Sequence, residues 1–202
     1  MVATEKRERG ILMSAPMVIA DLRGEKTQTR RTRGLDEINK NPGAWRFDGW
    51  ISEHSDRKNN GKAVWSPVGN DKYCITGSVK VRCPFGVVGD RLWFKETWSG
   101  DSVETVYRAT HVGPPIGGKW HPSLLMPRVR ARTVRVIVAI RVERLQDINE
   151  ADARAEGAKI EAAEEPYRFA YKCLWESING PGSWDANPWV WVVEFKRLVN
   201  EA

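Results

Sequence analysis

Residues 14–31 (SAPMVIADLRGEKTQTRR) hold the densest group of side chains in the chain that could do chemistry. The group ends in three cations and two hydroxyls: Lys26, Thr27, Thr29, Arg30 and Arg31. Ser14 and Pro16 are typical of a helix start, and Gly24 is typical of the left-handed residue that ends a helix. The sequence therefore predicts a short helix that leads directly into a polar strand. That strand is either a site held at a rigid junction or a solvated edge strand.

A second candidate is Glu96, in the predicted strand 90–98 (DRLWFKETW). Strand alternation places it on the same face as Leu92, Phe94 and Trp98. A carboxylate on an apolar face must be paired, hydrogen-bonded or protonated. Glu96 is therefore expected either to form a salt bridge, for example with Arg30 or Arg31, or to act as an acid in a pocket.

The elements that must position these residues follow from apolar periodicity and capping residues. Four segments are predicted to be strands: 79–82, 90–98, 130–144 and 189–195. Two more are predicted to be helices: 149–156, with Asn149 as N-cap and Gly157 as its stop, and 166–179. Strands that do not alternate with helices favour an α+β, mainly β fold, built on a small closed or partly closed β-barrel.

The strand 130–144 is expected to be half-buried, with a basic outer side. Its valines, from Val134 to Val142, share one face, and Arg135 and Arg141 share the other. The strand 189–195 is nearly all apolar, which predicts a central position in the sheet.

Two stretches rich in Asn, Gly, Asp and Pro interrupt these elements, at about 34–76 and about 99–127. We interpret them as insertions in one domain that spans 1–202, because a chain of this length suits a single domain. Tryptophans interleave the first insertion. Either their rings pin it to the core, or one of them stacks on a base. Trp65 and Trp98 are the tryptophans that we assign to substrate binding, together with Arg30, Arg31 and Glu96.

Composition sets limits on partners and location. The formal net charge of +6 favours anionic partners but is too small to establish nucleic-acid binding. No apolar run approaches the ~20 residues of a membrane helix. Because no apolar secretory segment follows the charged N-terminus, we expect a cytoplasmic protein without a membrane partner.

Cysteine and histidine residues are scattered. Cys74, Cys83 and Cys173 form no C-x-x-C motif, and the three histidines have no ligand spacing: His54, His111 and His121. We therefore expect reduced thiols, no metal and no cofactor.

Four segments, in order along the chain, resemble ASCH-domain proteins, which are relatives of the PUA barrel. They are ILMSAPMVIADLRGEKTQTRR, VVGDRLWFKETW, VERLQDINEADARAEGA and WVWVVEFKRL. The resemblance leaves about half of the chain uncovered, mainly the two insertions. The C-terminal WDANPWVWVVEF is similar to the long form common in phages and prophages. The resemblance implies a PUA-like ASCH barrel with short flanking helices.

The ASCH family includes N4-acetylcytidine amidohydrolases, whose proposed catalytic residues are a lysine, a threonine three residues later and a downstream glutamate. The resemblance places the lysine and threonine on Lys26 and Thr29, and the glutamate by position on Glu156. It therefore implies an amidohydrolase that removes an acyl group from N4 of cytosine in a nucleoside or base. Arg30, Arg31 or a backbone N–H would hold the oxyanion.

Other ASCH relatives are described as ribonucleases or RNA-binding modules, which leaves RNA open as an alternative partner. That function would use the basic strand around Arg130, Arg132 and Arg135, together with exposed tryptophans.

The implied catalytic residues impose a geometric requirement. On a regular strand Lys26 and Thr29 would point to opposite faces. A shared site therefore needs a bulge or turn between Gly24 and Thr29, or Lys26 must lie at the helix exit rather than in the strand.

Overall fold

The computed structural model describes residues 6–52, 59–69, 77–101, 103–160 and 164–198. Its strands are β1 (Glu8–Leu12), β2 (Gln28–Arg31), β3 (Trp45–Trp50), β4 (Lys62–Pro67), β5 (Val79–Arg82), β6 (Arg91–Lys95), β7 (Trp98–Gly100), β8 (Thr105–Tyr107), β9 (Val134–Arg144) and β10 (Trp189–Arg197). Its α-helices are α1 (Ala15–Leu22), α2 (Asp36–Asn39), α3 (Glu150–Ala155) and α4 (Tyr167–Asn179).

A five-stranded sheet in the order β1-β6-β9-β10-β2 forms the centre of the fold. β10 lies between β9 and β2 and is antiparallel to both, which confirms its predicted central position. Both of its faces are covered: Trp191 and Val193 face one apolar cluster, and Val190 and Val192 face another that includes side chains of α3 and α4. Burial on both faces explains why the strand is almost entirely apolar.

The fold is α+β with mainly strands, as predicted, but the sheet does not close into a barrel within the described residues. β1 and β2 are its two edges. A side chain bridges these edges, since the guanidinium of Arg31 donates a hydrogen bond to the backbone oxygen of Leu12 at 2.9 Å. Of the closed or partly closed barrel that was predicted, the closed form is therefore wrong for the described residues.

The described part of the first predicted insertion is largely regular structure. β3 and β4 lie within it and form an antiparallel sheet with β5. The ring of Trp65 lies 5.5 Å from that of Phe47 and 5.7 Å from that of Trp191 on the central strand. Aromatic packing therefore pins the insertion to the core, as one of the two interpretations predicted. The second insertion contains β8 and most of β7.

β9 contains a bulge that reverses which side chains face the core. Phe195 pairs with Ile137, and the preceding Glu194 pairs with Ala139, so Val138 is an extra residue in β9. An extra residue shifts the period-two alternation by one position.

The predicted basic outer side is consequently wrong for the first half of β9. Arg135 and Ile137 are buried there, whereas Val138 is partly exposed. In the second half Ile140 and Val142 pack on the core, as the alternation predicted.

A buried ion pair anchors α1 to β9. Arg135 donates from Nε to Oδ1 of Asp21 at 2.8 Å, and its Nη2 donates to the other carboxylate oxygen. Arg197 on β10 donates to the backbone oxygen of Asp21 at 3.0 Å. Gly24 follows at φ 79° and ends the helix, as predicted. These contacts fix the point at which the chain leaves α1.

Asp21→Ala is expected to lower the free energy of unfolding by about 3–5 kcal/mol, because Arg135 would remain buried without its partner. Urea unfolding measures the loss. The double variant Asp21→Ala/Arg135→Met should recover most of it, since no buried charge is then left uncompensated. Lys40→Met is the control and should have little effect, because its pair with Glu37 is exposed. An Asp21→Ala protein as stable as wild type would contradict this assignment.

Candidate functional site

A cavity of about 410 Å³, partly open to solvent, lies at the junction of α1, β2, the end of α3 and one face of α4. Its charged lining consists of Lys26, Arg30, Arg31 and Glu156. Tyr171 and Trp175 of α4 lie on another side. The volume is in the range of cavities that bind small molecules.

Lys26 lies at the exit of α1 and precedes β2. Its backbone N–H donates to the carbonyl oxygen of Ala20 at 3.3 Å, and the strand begins two residues later at Gln28. This placement is one of the two that a site shared with Thr29 requires.

Lys26 and Glu156 form a buried pair across 130 residues of sequence. Nζ of Lys26 donates to Oε2 of Glu156 at 3.1 Å and to its backbone oxygen at 2.7 Å. Each residue is 3% exposed. Asn149 begins the short helix α3 by accepting from the N–H of Asp152 at 2.8 Å, and Glu156 follows its last turn. The sequence thus brings this carboxylate to the lysine through a capped helix of defined length.

The other oxygen of Glu156 accepts from a second cation. Nη1 of Arg30 donates to Oε1 at 3.1 Å, while the same guanidinium also donates to Glu143 at 2.9 Å and to Asp152 at 2.8 Å. Arg141 on β9 contacts both of the latter carboxylates, at 3.0 and 2.6 Å. Glu156 is therefore held on both oxygens, which fixes its orientation toward Lys26.

The pKa of Lys26 is lowered from its ordinary value, chiefly because burial penalises the ammonium form. The cation of Arg31 adds to this lowering, and the negative charge of Glu156 opposes it. The amine of Lys26 is therefore neutral, and able to accept a proton, at a lower pH than an exposed lysine.

Tyr171 is a polar group in the cavity that the sequence interpretation missed. Its position in the apolar repeat of α4 predicts a core residue, yet its ring lines the cavity. Burial raises the pKa of Tyr171 well above its usual value, and the charge of Glu156 raises it further, so the hydroxyl stays protonated. Within the described part of the chain that hydroxyl has no hydrogen-bond partner. A tyrosine placed among apolar helix positions was the available signal.

Thr29 does not line the cavity. It pairs with Val193 of β10, and directly paired residues of antiparallel strands share a face, so Thr29 faces the apolar core with that valine. Thr29 is 0% exposed, and its Oγ1 has no hydrogen-bond partner. The structure thus brings Lys26 and Glu156 together, with Arg30 and Arg31 beside them. Thr29 lies outside the cavity lining, in the apolar core.

The other predicted substrate-binding residues lie away from the cavity. Glu96 is buried and forms a bidentate salt bridge with Arg132, at 2.9 and 2.8 Å, rather than with Arg30 or Arg31. Trp98 stacks on His121 with ring centroids 4.5 Å apart. Trp65 has no exposed surface and belongs to the core, so it cannot stack on a base in this structure. None of the three lines the cavity.

The arginines considered for RNA binding have internal partners. Arg130 donates to the hydroxyl of Thr105 and to a backbone oxygen, Arg132 holds Glu96, and Arg135 is buried on Asp21. They do not form a free basic strip on β9.

The described residues contain no group of histidine, cysteine, aspartate or glutamate side chains that could hold a metal ion. Cys83 is buried and Cys173 is exposed, and both are free thiols. The predictions for Cys74 and His54 fall outside the described residues. Among the helices of the described segments, none is both long and apolar enough to cross a membrane.

Comparison of the chain with protein-family models, curated proteins and solved structures found no match. The assignment to the ASCH-domain family stays a prediction.

Thr29→Val is expected to raise the thermal unfolding midpoint by about 2–4 °C, because it removes a buried hydroxyl that has no partner and keeps the side-chain shape. Thermal unfolding followed by circular dichroism measures the shift. Thr27→Val, at an exposed position two residues earlier, is the control and should give no comparable gain. A lower midpoint for Thr29→Val would mean that the hydroxyl is satisfied in solution.

Proposed function

We propose that this protein is an amidohydrolase that removes an acyl group from N4 of cytosine in a nucleoside or base. The observation that carries the proposal is the buried amine of Lys26, held 3.1 Å from Glu156 on the wall of a cavity of about 410 Å³. A buried lysine with a lowered pKa and a fixed carboxylate partner is a common arrangement for a general base. The resemblance to N4-acetylcytidine amidohydrolases supplies the substrate class.

Amide hydrolysis needs a nucleophile, a base, a donor for the oxyanion and a proton for the leaving amine. Neutral Lys26 accepts the proton of the nucleophile as the nucleophile attacks the acyl carbon. Glu156 stabilises the resulting ammonium and keeps it oriented. That ammonium then gives its proton to N4 as the C–N bond breaks, which releases cytosine and regenerates the neutral amine.

The resemblance places Thr29 among the catalytic residues, and its hydroxyl could attack the acyl carbon once deprotonated. That hydroxyl, however, faces the core, and Thr29 does not line the cavity. A water molecule beside Lys26 fits this geometry better, since it enters through the cavity and needs no rearrangement of β2. The two mechanisms differ in the activity expected of Thr29→Val: water attack leaves that variant active, and attack by Thr29 requires it to be inactive.

Two groups on the cavity wall can stabilise the oxyanion. The hydroxyl of Tyr171 stays protonated and has no other partner in the described structure, so it can donate to a developing negative charge. Arg31 also lines the cavity and brings a positive charge. Donors already in position cost no reorganisation during the reaction.

No specific observation favours RNA as the partner, because the arginines considered for it, Arg130, Arg132 and Arg135, hold carboxylates and backbone oxygens within the protein. Only Arg135 of the three lies on β9.

Lys26→Met is expected to reduce the turnover of N4-acetylcytidine by about 10²–10⁴-fold, because it removes the general base. Chromatography of released cytidine measures the rate. For the wild type, kcat/KM should rise with pH as Lys26 loses its proton, with a midpoint below the ordinary pKa of lysine. Lys159→Met, at an exposed lysine outside the cavity, should retain activity. Undetectable turnover of several N4-acylcytosines by the wild type would refute the proposed function.

Tyr171→Phe is expected to lower kcat by about 10²–10³-fold, the usual loss for an oxyanion donor, and to change KM much less. The fold should be kept, because the removed hydroxyl has no partner in the described structure. Tyr167→Phe, on the same helix but outside the cavity, is the matched control. An unchanged kcat for Tyr171→Phe would exclude this role.

A further inference from the structure

Part of the cavity lining consists of four hydroxyl groups, from Ser14, Thr32, Thr97 and Ser123. None of these side chains has a hydrogen-bond partner within the described residues; Ser14, at the N-cap position of α1, makes no capping bond. Free hydroxyls can donate to and accept from the polar edge of a ligand. This part of the lining therefore suits a polar planar group.

Another part of the lining is an apolar face of α4. Tyr171, Leu174, Trp175 and Ile178 all line the cavity, and their spacing of three, one and three residues places them on one helix face. Ile178 is 59% exposed and lies seven residues after Tyr171, about 10 Å along the helix axis. The apolar wall therefore extends well beyond Tyr171 toward solvent.

More apolar surface of the same cavity comes from Leu12 at the end of β1, from Met13 directly after it, and from Met17 of α1. Leu12 is 46% exposed although it lies on the cavity wall. The cavity thus combines a charged end at Lys26 and Glu156, a hydroxyl side and a long apolar side.

We infer that the two sides separate the two halves of the substrate, and that the preferred acyl group is larger and more apolar than acetyl. This inference rests on the proposed amidohydrolase function. Cytosine carries O2 and N3 acceptors, which would lose their hydrogen bonds against the apolar wall and can be satisfied by the hydroxyls. The acyl chain has no polar atom beyond its carbonyl and belongs against α4.

The length of the apolar wall sets the expected specificity. With the acyl carbonyl at Lys26 and Tyr171, an acetyl group presents a single methyl and leaves Leu174, Trp175 and Ile178 without a partner. A butanoyl or benzoyl group covers part of that wall. Each methylene removed from water is worth about a fourfold gain in kcat/KM, so the two extra methylenes of butanoyl should raise kcat/KM over acetyl by about tenfold or more.

The test compares kcat/KM for N4-acetyl-, N4-butanoyl- and N4-benzoylcytidine. We expect both larger substrates to exceed acetyl by about tenfold in the wild type. Ile178→Gln should lower the butanoyl-to-acetyl ratio by at least about threefold, because it removes apolar surface from the wall. Phe169→Gln is the matched control: Phe169 is an exposed apolar residue of the same helix outside the cavity, and its variant should keep the wild-type ratio.

Each outcome bears on a different statement. If the acetyl substrate reacts as fast as the larger ones, the inferred preference is overturned and the amidohydrolase function stands. If the larger substrates are preferred but Ile178→Gln keeps the wild-type ratio, the assignment of the acyl group to α4 is overturned. If no substrate reacts, the proposed function and the inference both fail.

Discussion

The candidate site depends on the close approach of two chain segments, the exit of α1 and the end of α3. Gly157 makes this approach possible. A Cβ there would lie 2.9 Å from Cβ of Ala20 and 3.2 Å from Cβ of Lys26, and the backbone of Gly157 has φ 79°. One residue later than Lys26, the N–H of Thr27 donates to the carbonyl oxygen of Ala155 at 2.9 Å. The lysine and Glu156 are therefore brought together by backbone packing as well as by attraction between their charges.

This placement requires a charge network that is buried at Lys26, Arg30 and Glu156 and partly exposed at Arg141 and Glu194, and the network connects the site to the central sheet. Arg30 of β2 bridges Glu156 to Glu143 of β9, and Arg141 continues from Glu143 to Glu194 of β10. Buried ion pairs add little net stability, but the loss of one member leaves an uncompensated charge. The network is therefore better understood as fixing the position of Glu156 than as strengthening the fold.

The local signals of the sequence predict the parts of this site that depend on neighbouring residues. The glycine stop after α1, the N-cap at Asn149 and the apolar strand β10 each follow from a short stretch of sequence, and each lies where it was predicted. The placement of Lys26 at the helix exit is one of two that the sequence left open, the other being a bulge or turn between Gly24 and Thr29, and β2 begins only at Gln28.

The errors concern features that depend on residues far apart in the chain. Strand alternation puts Arg135 on the outer side only if β9 is regular, and the bulge at Val138 is visible only in the pairing with β10. Glu96 was correctly expected to need a partner. That partner is Arg132, which lies 36 residues away in the sequence and reaches Glu96 only through tertiary folding. The orientation of Thr29 is likewise fixed by its pairing with Val193, which no local pattern contains.

Burial lowers the pKa of Lys26, and the charges around it limit how far the contact with a carboxylate opposes that lowering. A carboxylate that interacted with Lys26 alone would favour the ammonium form strongly. Glu156 instead interacts with two cations, because its second oxygen accepts a hydrogen bond from Arg30 at 3.1 Å. Arg31 adds a further positive charge close enough to lower the pKa of Lys26. The two arginines that follow Thr29 therefore have separate effects on Lys26. Arg30 shares the carboxylate of Glu156 with the lysine, and the positive charge of Arg31 disfavours the ammonium form of the lysine. Because both act through charge, they tune the base without having to contact the substrate.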